Sequence, residues 1–300
     1  MQSPTPQNQV FSVSTGKQYS LTGSDGQTWA DMDTTGLSKT ITTSVDSVAL
    51  ITANADLWTQ NSGYNQDIAI NVDTTIASWK ESGGSAGVQS PNAAFVQAVV
   101  PLPPGMHTVK LQWKTNAPEG GATIYAGAGP WGQGLLTPFS PTTLTIWLMP
   151  ATNITPATST AQGSLTNSDG AGWTPMDTTR LQLNFTNVST TKTFLLTGNV
   201  DLWTATAGFN QDVGIMVSGG VYGGGTLVAW KESGGLAGTY SPNAAYVETM
   251  LSLAPGTYTA WLAWKTNNLA TGSQIFQGAG PWPSGSATYS PTKLAATTVS

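Results

Sequence analysis

Between residues 106 and 115 the chain alternates without a break. His107, Val109, Leu111 and Trp113 fall on one side; Thr108, Lys110, Gln112 and Lys114 fall on the other. A period of two belongs to a strand with one face on a core and one face in water. Turn residues bracket it, ProProGly at 103–105 and AsnAlaProGluGlyGly at 116–121. Ile68, Ile70 and Val72 alternate with Ala69, Asn71 and Asp73 in the same way. Further strands are predicted over 39–45, 47–53, 75–81, 93–100, 122–126 and 142–148. No stretch carries a helical period with caps. About eight strands in ~130 residues, cut by Gly, Pro and Asn turns, predict an antiparallel sandwich of the jelly-roll type.

The pattern occurs twice. SerLeuThr-x-SerAspGly-x-x-Trp begins at Ser20 and again at Ser164, and AspLeuTrpThr stands at 56–59 and 201–204. TrpLysGluSerGlyGly (79–84, 230–235), TrpLysThrAsn (113–116, 264–267) and GlyAlaGlyProTrp (127–131, 278–282) also recur in order. The offset grows from 144 at Trp29/Trp173 to 151 at Trp79/Trp230, mainly through a glycine-rich insertion around 219–225. A repeat this long is a whole domain. The expected fold is all-β, a tandem repeat of two antiparallel jelly-roll-type β-sandwich domains. Residues 1–19 read as an N-terminal extension, 20–149 as repeat one, 150–163 as a Thr/Pro-rich linker and 164–300 as repeat two.

The closing stretch of each copy adds a resemblance. In the first it is GlyMetHisThrValLysLeuGlnTrpLysThr (105–115), AlaThrIleTyrAla (122–126) and SerProThrThrLeuThrIle (140–146). These segments resemble the last strands of C1q/TNF-like jelly-roll domains of bacterial secreted and phage-tail proteins, over about the last third of each copy. The resemblance implies a compact jelly roll, often trimeric, used for adhesion or display rather than catalysis. It brings no functional residues onto this chain.

Composition narrows the function. Charged residues make up 8%, against roughly 25% in an average globular protein. Thr, Ser, Asn and Gly supply the polarity, as on many secreted β-proteins, so an extracellular or cell-surface location is expected. The start at Met1 reads as a mature, Pro/Thr-rich N-terminus with an added Met, not as a signal peptide. A net charge of −5 with scattered basic residues speaks against nucleic acid, and no apolar run is long enough to insert in a membrane. The absence of Cys excludes disulfides and thiolate metal sites. No cofactor is expected. A structural calcium ion stays open, because Asp25, Asp33, Asp56 and Asp67 recur as Asp169, Asp177, Asp201 and Asp212, although their spacing matches no known calcium loop.

Tryptophan is the most over-represented residue, with twelve in the chain. Trp113 and Trp264 lie on the apolar face of a strand and read as core. Trp58 and Trp203 end a strand just before the loop to AsnGlnAsp; Trp131 and Trp282 follow GlyAlaGlyPro. An aromatic ring beside amides and a carboxylate is the chemistry of sugar recognition: the ring stacks on C–H faces and the polar groups hold hydroxyls. The candidate ligand-binding set is therefore Trp58, Tyr64, Asn65, Asp67 and Trp131, with Trp203, Phe209, Asn210, Asp212 and Trp282 in the second copy. The same residues can also be a structural turn, with Gly63 and Asn65 as turn formers and Asp67 bonded to backbone amides. The repeated pair Asp67 and Glu81 keeps a glycoside-active enzyme in view, but no catalytic residue is assigned. His107, replaced by Tyr258 in the second copy, reads as a packed residue. Trp261 stands where the first copy has Lys110, and Ala263 where it has Gln112. That apolar outer face marks Trp261 as a contact with the other domain or a neighbouring chain.

The favoured reading is a secreted, non-enzymatic surface-binding protein, carbohydrate-binding or adhesive, with two equivalent domains. Its partner is a glycan or other cell-surface ligand, and homo-oligomers are open. The rival from another class is a structural or assembly subunit, such as a fibre, coat or trimeric display protein.

Overall fold

A computed structural model describes residues 8–83, 88–118, 120–129, 138–234, 239–280 and 288–299. Two compact units are present, one built on Met1–Ala151, the other on Thr152–Ala279 and Thr288–Ser300. Among the described residues the only helical pieces are two 3-10 turns, Ala151–Asn153 and Gly220–Tyr222.

The strands of the first unit are β1 (Gln9–Thr15), β2 (Tyr19–Thr22), β3 (Ala30–Asp31), β4 (Ser38–Thr43), β5 (Ser47–Thr59), β6 (Gln66–Val72), β7 (Thr75–Ser82), β8 (Asn92–Leu102), β9 (Gly105–Thr115), β10 (Thr123–Ala126) and β11 (Thr142–Met149). Several are halves of one row. β10 and β11 follow each other along the same edge of β5, opposite β8. β2 and β1 pair with those two halves in turn. β3 and β4 share the edge of β9 that faces away from β6. Counted this way, the described strands form eight antiparallel rows. One sheet has them in chain order one, eight, three, six, and the other two, seven, four, five. Only the β6–β7 turn joins neighbours within one sheet by a direct hairpin; the other links cross between sheets. That connectivity is a jelly roll.

Alternation explains which side chains fill the core. Ile51, Ala53, Ala55 and Leu57 of β5, Ile68, Ile70 and Val72 of β6, Val109, Leu111 and Trp113 of β9, and Leu144, Ile146 and Leu148 of β11 are all buried. Trp113 and its counterpart Trp264 are each 2% exposed. Burying a ring of that size contributes roughly 4–6 kcal/mol of hydrophobic stabilisation.

The second unit repeats the design with β12 (Ile154–Ser159), β13 (Gly163–Thr166), β14 (Thr174–Pro175), β15 (Gln182–Asn187), β16 (Lys192–Thr204), β17 (Gln211–Ser218), β18 (Thr226–Ser233), β19 (Asn243–Leu253), β20 (Gly256–Thr266), β21 (Gln274–Gln277) and β22 (Thr292–Thr298). The pairings are the same. The inserted glycines lie in the β17–β18 hairpin, around the second 3-10 turn.

Two stretches differ from the sequence reading. Residues 9–15, expected in an extension, are β1 and pair along β11 from Gln9↔Leu148 to Thr15↔Thr142. Residues 154–159, expected in a linker, are β12 and pair along β22. An outermost row needs only backbone hydrogen bonds on one side and a half-buried face. Polar Ser/Thr-rich sequence meets that need while hiding the usual strand signal.

Candidate functional site

Strand phase decides where each candidate residue stands. Odd-numbered residues of β5 face the core, so Trp58 projects from the outer face of its sheet. Its ring stacks on Tyr125 of β10 at 4.2 Å and 13°, and its Nε1 donates to the Gly127 carbonyl at 3.2 Å. Trp203 stacks on Phe276 in the same way, at 4.2 Å and 14°, with Nε1 on the Gly278 carbonyl at 3.1 Å and the Tyr240 ring 5.9 Å away. On β6 the even-numbered residues face the core, so Asp67, and Asn65 just before it, project from the outer face of the other sheet. The two halves of the predicted set therefore sit on opposite layers of the sandwich and do not form one site. Phe209 is 5% exposed and belongs to the hydrophobic core of the second unit, so it is a packing residue rather than a ligand contact. Tyr64 is half-buried. Trp131 and Trp282 lie outside the described residues.

Asn65 and Asp67 join a different group. Asp67 lies opposite Glu81 on β7 and opposite Lys114 on β9. The Lys114 ammonium forms an ion pair with Asp67 and donates to the carbonyls of Gly26 at 3.2 Å and Thr115 at 3.1 Å. It also stands 4.9 Å over the Trp29 ring, which leans on Trp79 at 6.3 Å. Glu81 is an acceptor hub: its Oε1 takes Nδ2–H bonds from Asn65 at 2.6 Å and Asn116 at 3.3 Å. The two asparagines clasp each other, Asn65 N donating to Asn116 Oδ1 at 2.9 Å and Asn116 N to the Asn65 carbonyl at 3.1 Å. Segments that are loops in sequence (23–29, 60–65 and 116–118) are thereby pinned to one end of the sheet.

The second unit builds the same group. Lys265 binds Asp212 Oδ2 at 2.6 Å and the carbonyls of Gly170 and Thr266 at 3.2 Å each. Asn210 and Asn267 donate to Glu232 Oε1 at 2.6 and 3.1 Å, and Asn210 N donates to Asn267 Oδ1 at 2.8 Å. Lys265 stands 5.4 Å over Trp173, which meets Trp230 edge-on at 6.3 Å. In the sequence, Trp29, Trp79, Lys114 and Asn116 stand in repeated motifs that local pattern does not join to Asn65 and Asp67. Their repetition in a fixed order was the available signal.

Access separates the copies. In the first, Asn65, Asp67, Glu81, Lys114 and Asn116 are all buried, Glu81 at 2% exposure. In the second, Trp230 is 50% exposed, Glu232 and Asn267 are exposed, and Asn210 and Lys265 are half-buried. Only Asp212 stays sealed. Burial pushes its carboxyl above the usual range, with Lys265 pulling the other way and Glu232 adding to the rise. Glu232 is thus a surface carboxylate held at a fixed angle by two amides. Trp230 lies two residues before it on the same strand face, about 6–7 Å along the strand.

Among the described residues no group of three or more His, Asp or Glu is placed to hold a metal ion. Two of the aspartates that kept calcium in view are turn residues. Asp25 binds the Thr28 hydroxyl and the amides of Thr28 and Gln27, which together hold its pKa down at about 2. Asp33 takes the amides of Thr35 and Gly36. Trp261 is half-buried and sits between Gln182 and Met216 in register. The glycine-rich hairpin of its own unit lies against it: a Cβ on Gly225 would come within 3.0 Å of the Trp261 Cη2.

No family model matches the chain and no curated protein matches it. Among solved structures it is similar to the VP2 subviral particle of infectious bursal disease virus, at 10% identity and a TM-score of 0.32, covering 90% of this chain and 41% of that one. It is also similar to a peptide-N(4)-(N-acetyl-β-D-glucosaminyl) asparagine amidase, at 10% identity and a TM-score of 0.38, covering 97% and 96%. A third is the tandem CBM22-1–CBM22-2 domain of Paenibacillus barcinonensis Xyn10C, at 10% identity and a TM-score of 0.26, covering 98% and 92%. None of the three bears on the site. Among the described residues no helix is long and apolar enough to cross a membrane.

Proposed function

We propose that the chain is a non-enzymatic binding protein of an extracellular or cell surface, and that it takes carbohydrate on the second repeat at Trp230, Glu232, Asn210 and Asn267. The observation that carries this reading is the half-exposed Trp230 ring beside a surface carboxylate that two asparagine amides hold in place. A ring face takes the C–H side of a sugar, and a fixed acceptor orients its hydroxyls without losing rotamer entropy on binding. Hydrolysis is disfavoured because Asp212, the second carboxylate of the pair, is sealed and bonded to Lys265. It cannot reach a glycosidic oxygen above Trp230. A net charge of −5 disfavours nucleic acid.

The test is a broad glycan array with wild type, Trp230→Ala and Trp79→Ala. Wild type and Trp79→Ala are expected to bind, and Trp230→Ala to lose at least tenfold in affinity while keeping its melting temperature. A blank wild type overturns the reading.

One observation favours a second reading, a structural or assembly subunit. The same group is closed to solvent in the first repeat, where pinning loops is its whole role. On that reading sedimentation gives one discrete oligomer that persists on dilution.

A further inference from the structure

The ligand class can be narrowed, resting on the carbohydrate reading above. Glu232 and Asp212 are register partners on one face of the sheet, and the ion pair there joins Lys265 to Asp212, not to Glu232. Lys265 spends its three ammonium protons on Asp212, Gly170 and Thr266, the full donor count of a lysine. Among the described residues no other lysine or arginine reaches either carboxylate; the remaining ion pairs lie elsewhere, at Asp73, Asp31, Asp67 and Asp177. Lys231 adjoins Glu232 in sequence, but it lies opposite Val213 and so on the other face of β18. The second carboxylate is independently short of a partner: Asp212 is 1% exposed, and its Oδ1 has no hydrogen-bond partner among the described residues. The aromatic pair beside them already accepts one cation, since Lys265 stands over Trp173. The outward ring, Trp230, offers the same negative face to solvent.

We infer that the sugar bound at Trp230 and Glu232 carries a free, protonated amino group: a hexosamine unit with an unacetylated amine, its ring on Trp230 and its ammonium on the Glu232 carboxylate. A charge-assisted bond of this kind is about twice as strong as a neutral one, and the amine supplies the positive charge that Glu232 lacks, Lys265 being paired with Asp212. Acidic sugars are repelled by the same pair. Because Glu81 is closed to solvent, the first repeat offers no such site among the described residues.

Calorimetry at pH 6 on the full chain tests this with four probes: a glucosamine oligomer, its N-acetylated form, a neutral glucose oligomer and a uronic acid oligomer. The expected order puts the glucosamine oligomer at least tenfold tighter than the neutral one, with the uronic acid oligomer weakest. Raising salt from 0.1 to 1 M shortens the screening length from about 10 Å to about 3 Å and should shrink the preference several-fold. Glu232→Gln keeps an acceptor oxygen but removes the charge. It should weaken the glucosamine oligomer at least tenfold more than the neutral one, with the melting temperature of each variant recorded as the control for folding. If acetylated and neutral oligomers bind as tightly as the amine, the amine inference fails and the carbohydrate reading stands. If none of the four binds, or a lysine-rich peptide titrated as a fifth probe binds tighter than any sugar, the carbohydrate reading fails with it.

Discussion

His107 is the one histidine of the chain, and both its ring nitrogens face acceptors: Nδ1 lies 3.0 Å from Asp73 Oδ2 and Nε2 lies 2.9 Å from the Pro103 carbonyl. Only the imidazolium donates from both nitrogens. Asp73, then Pro103, raise the histidine pKa, while the His107 bond and the Thr108 amide lower that of Asp73. The histidine part of the stabilisation is complete below the unfolded value near 6.5 and is lost as pH rises through the higher folded value. The aspartate part is present above an unfolded value near 4 and is lost as pH falls through the lower folded one. The pair should therefore stabilise most between about pH 4 and 6.5, by up to about 1 kcal/mol because Asp73 is half open to water. Thermal melts from pH 5 to 8.5 should show a small fall that His107→Gln removes; a wild type and variant with parallel pH profiles would refute the pairing. Alternation placed His107 on the buried face of its strand, where it is 8% exposed. It could not reveal Asp73, which lies on another strand's turn, 34 residues earlier.

Hairpin length is where the two copies part at the scale of elements. The β6–β7 turn is tight, with Asp73 at a positive φ of 57°, and it packs against His107. The β17–β18 hairpin is longer, and its glycine-rich segment 219–225 passes over Tyr258 and Trp261. A Cβ on Gly220 would lie 3.0 Å from the Tyr258 hydroxyl. The exchange of Lys110 for Trp261, read from sequence as the mark of an interface, thus goes with an inserted cover inside the same unit. Gly225 has φ +148° as well as the ring beside it. Gly225→Val should lower stability by roughly 1–3 kcal/mol through overpacking and backbone strain, read as a fall of several degrees in the melt. An unchanged melt would show that the hairpin does not rest on the ring. Most strands were legible from period-two alternation, including the phase that buries Trp113. Membership of a sheet was not. Trp58 and Asn65 are seven residues apart in sequence, yet the link between β5 and β6 crosses from one layer to the other.

At the scale of the whole molecule, the outermost rows carry the least visible sequence. β1 closes the open edge of β11 through seven paired positions, so residues 8–18 are part of the fold and not a dispensable extension. Removing them should cost roughly 3–7 kcal/mol at about 1 kcal/mol per backbone hydrogen bond and bare a strand edge that aggregates. Calorimetry and size-exclusion chromatography of the truncated chain check this; a monomer with an unchanged melt would mean the row contributes nothing. Repetition, all-β character and the inward or outward phase of most strands are readable along the chain alone, because they depend on neighbours two residues apart and on motifs that recur intact. That Trp230, and not Trp203, shares a face with Asn210 and Asp212, and that the group built twice is closed in one copy and open in the other, emerges only from the packed fold. Those outcomes depend on backbone pairing and burial between segments tens to more than a hundred residues apart, and the alternation of a single strand carries no record of them.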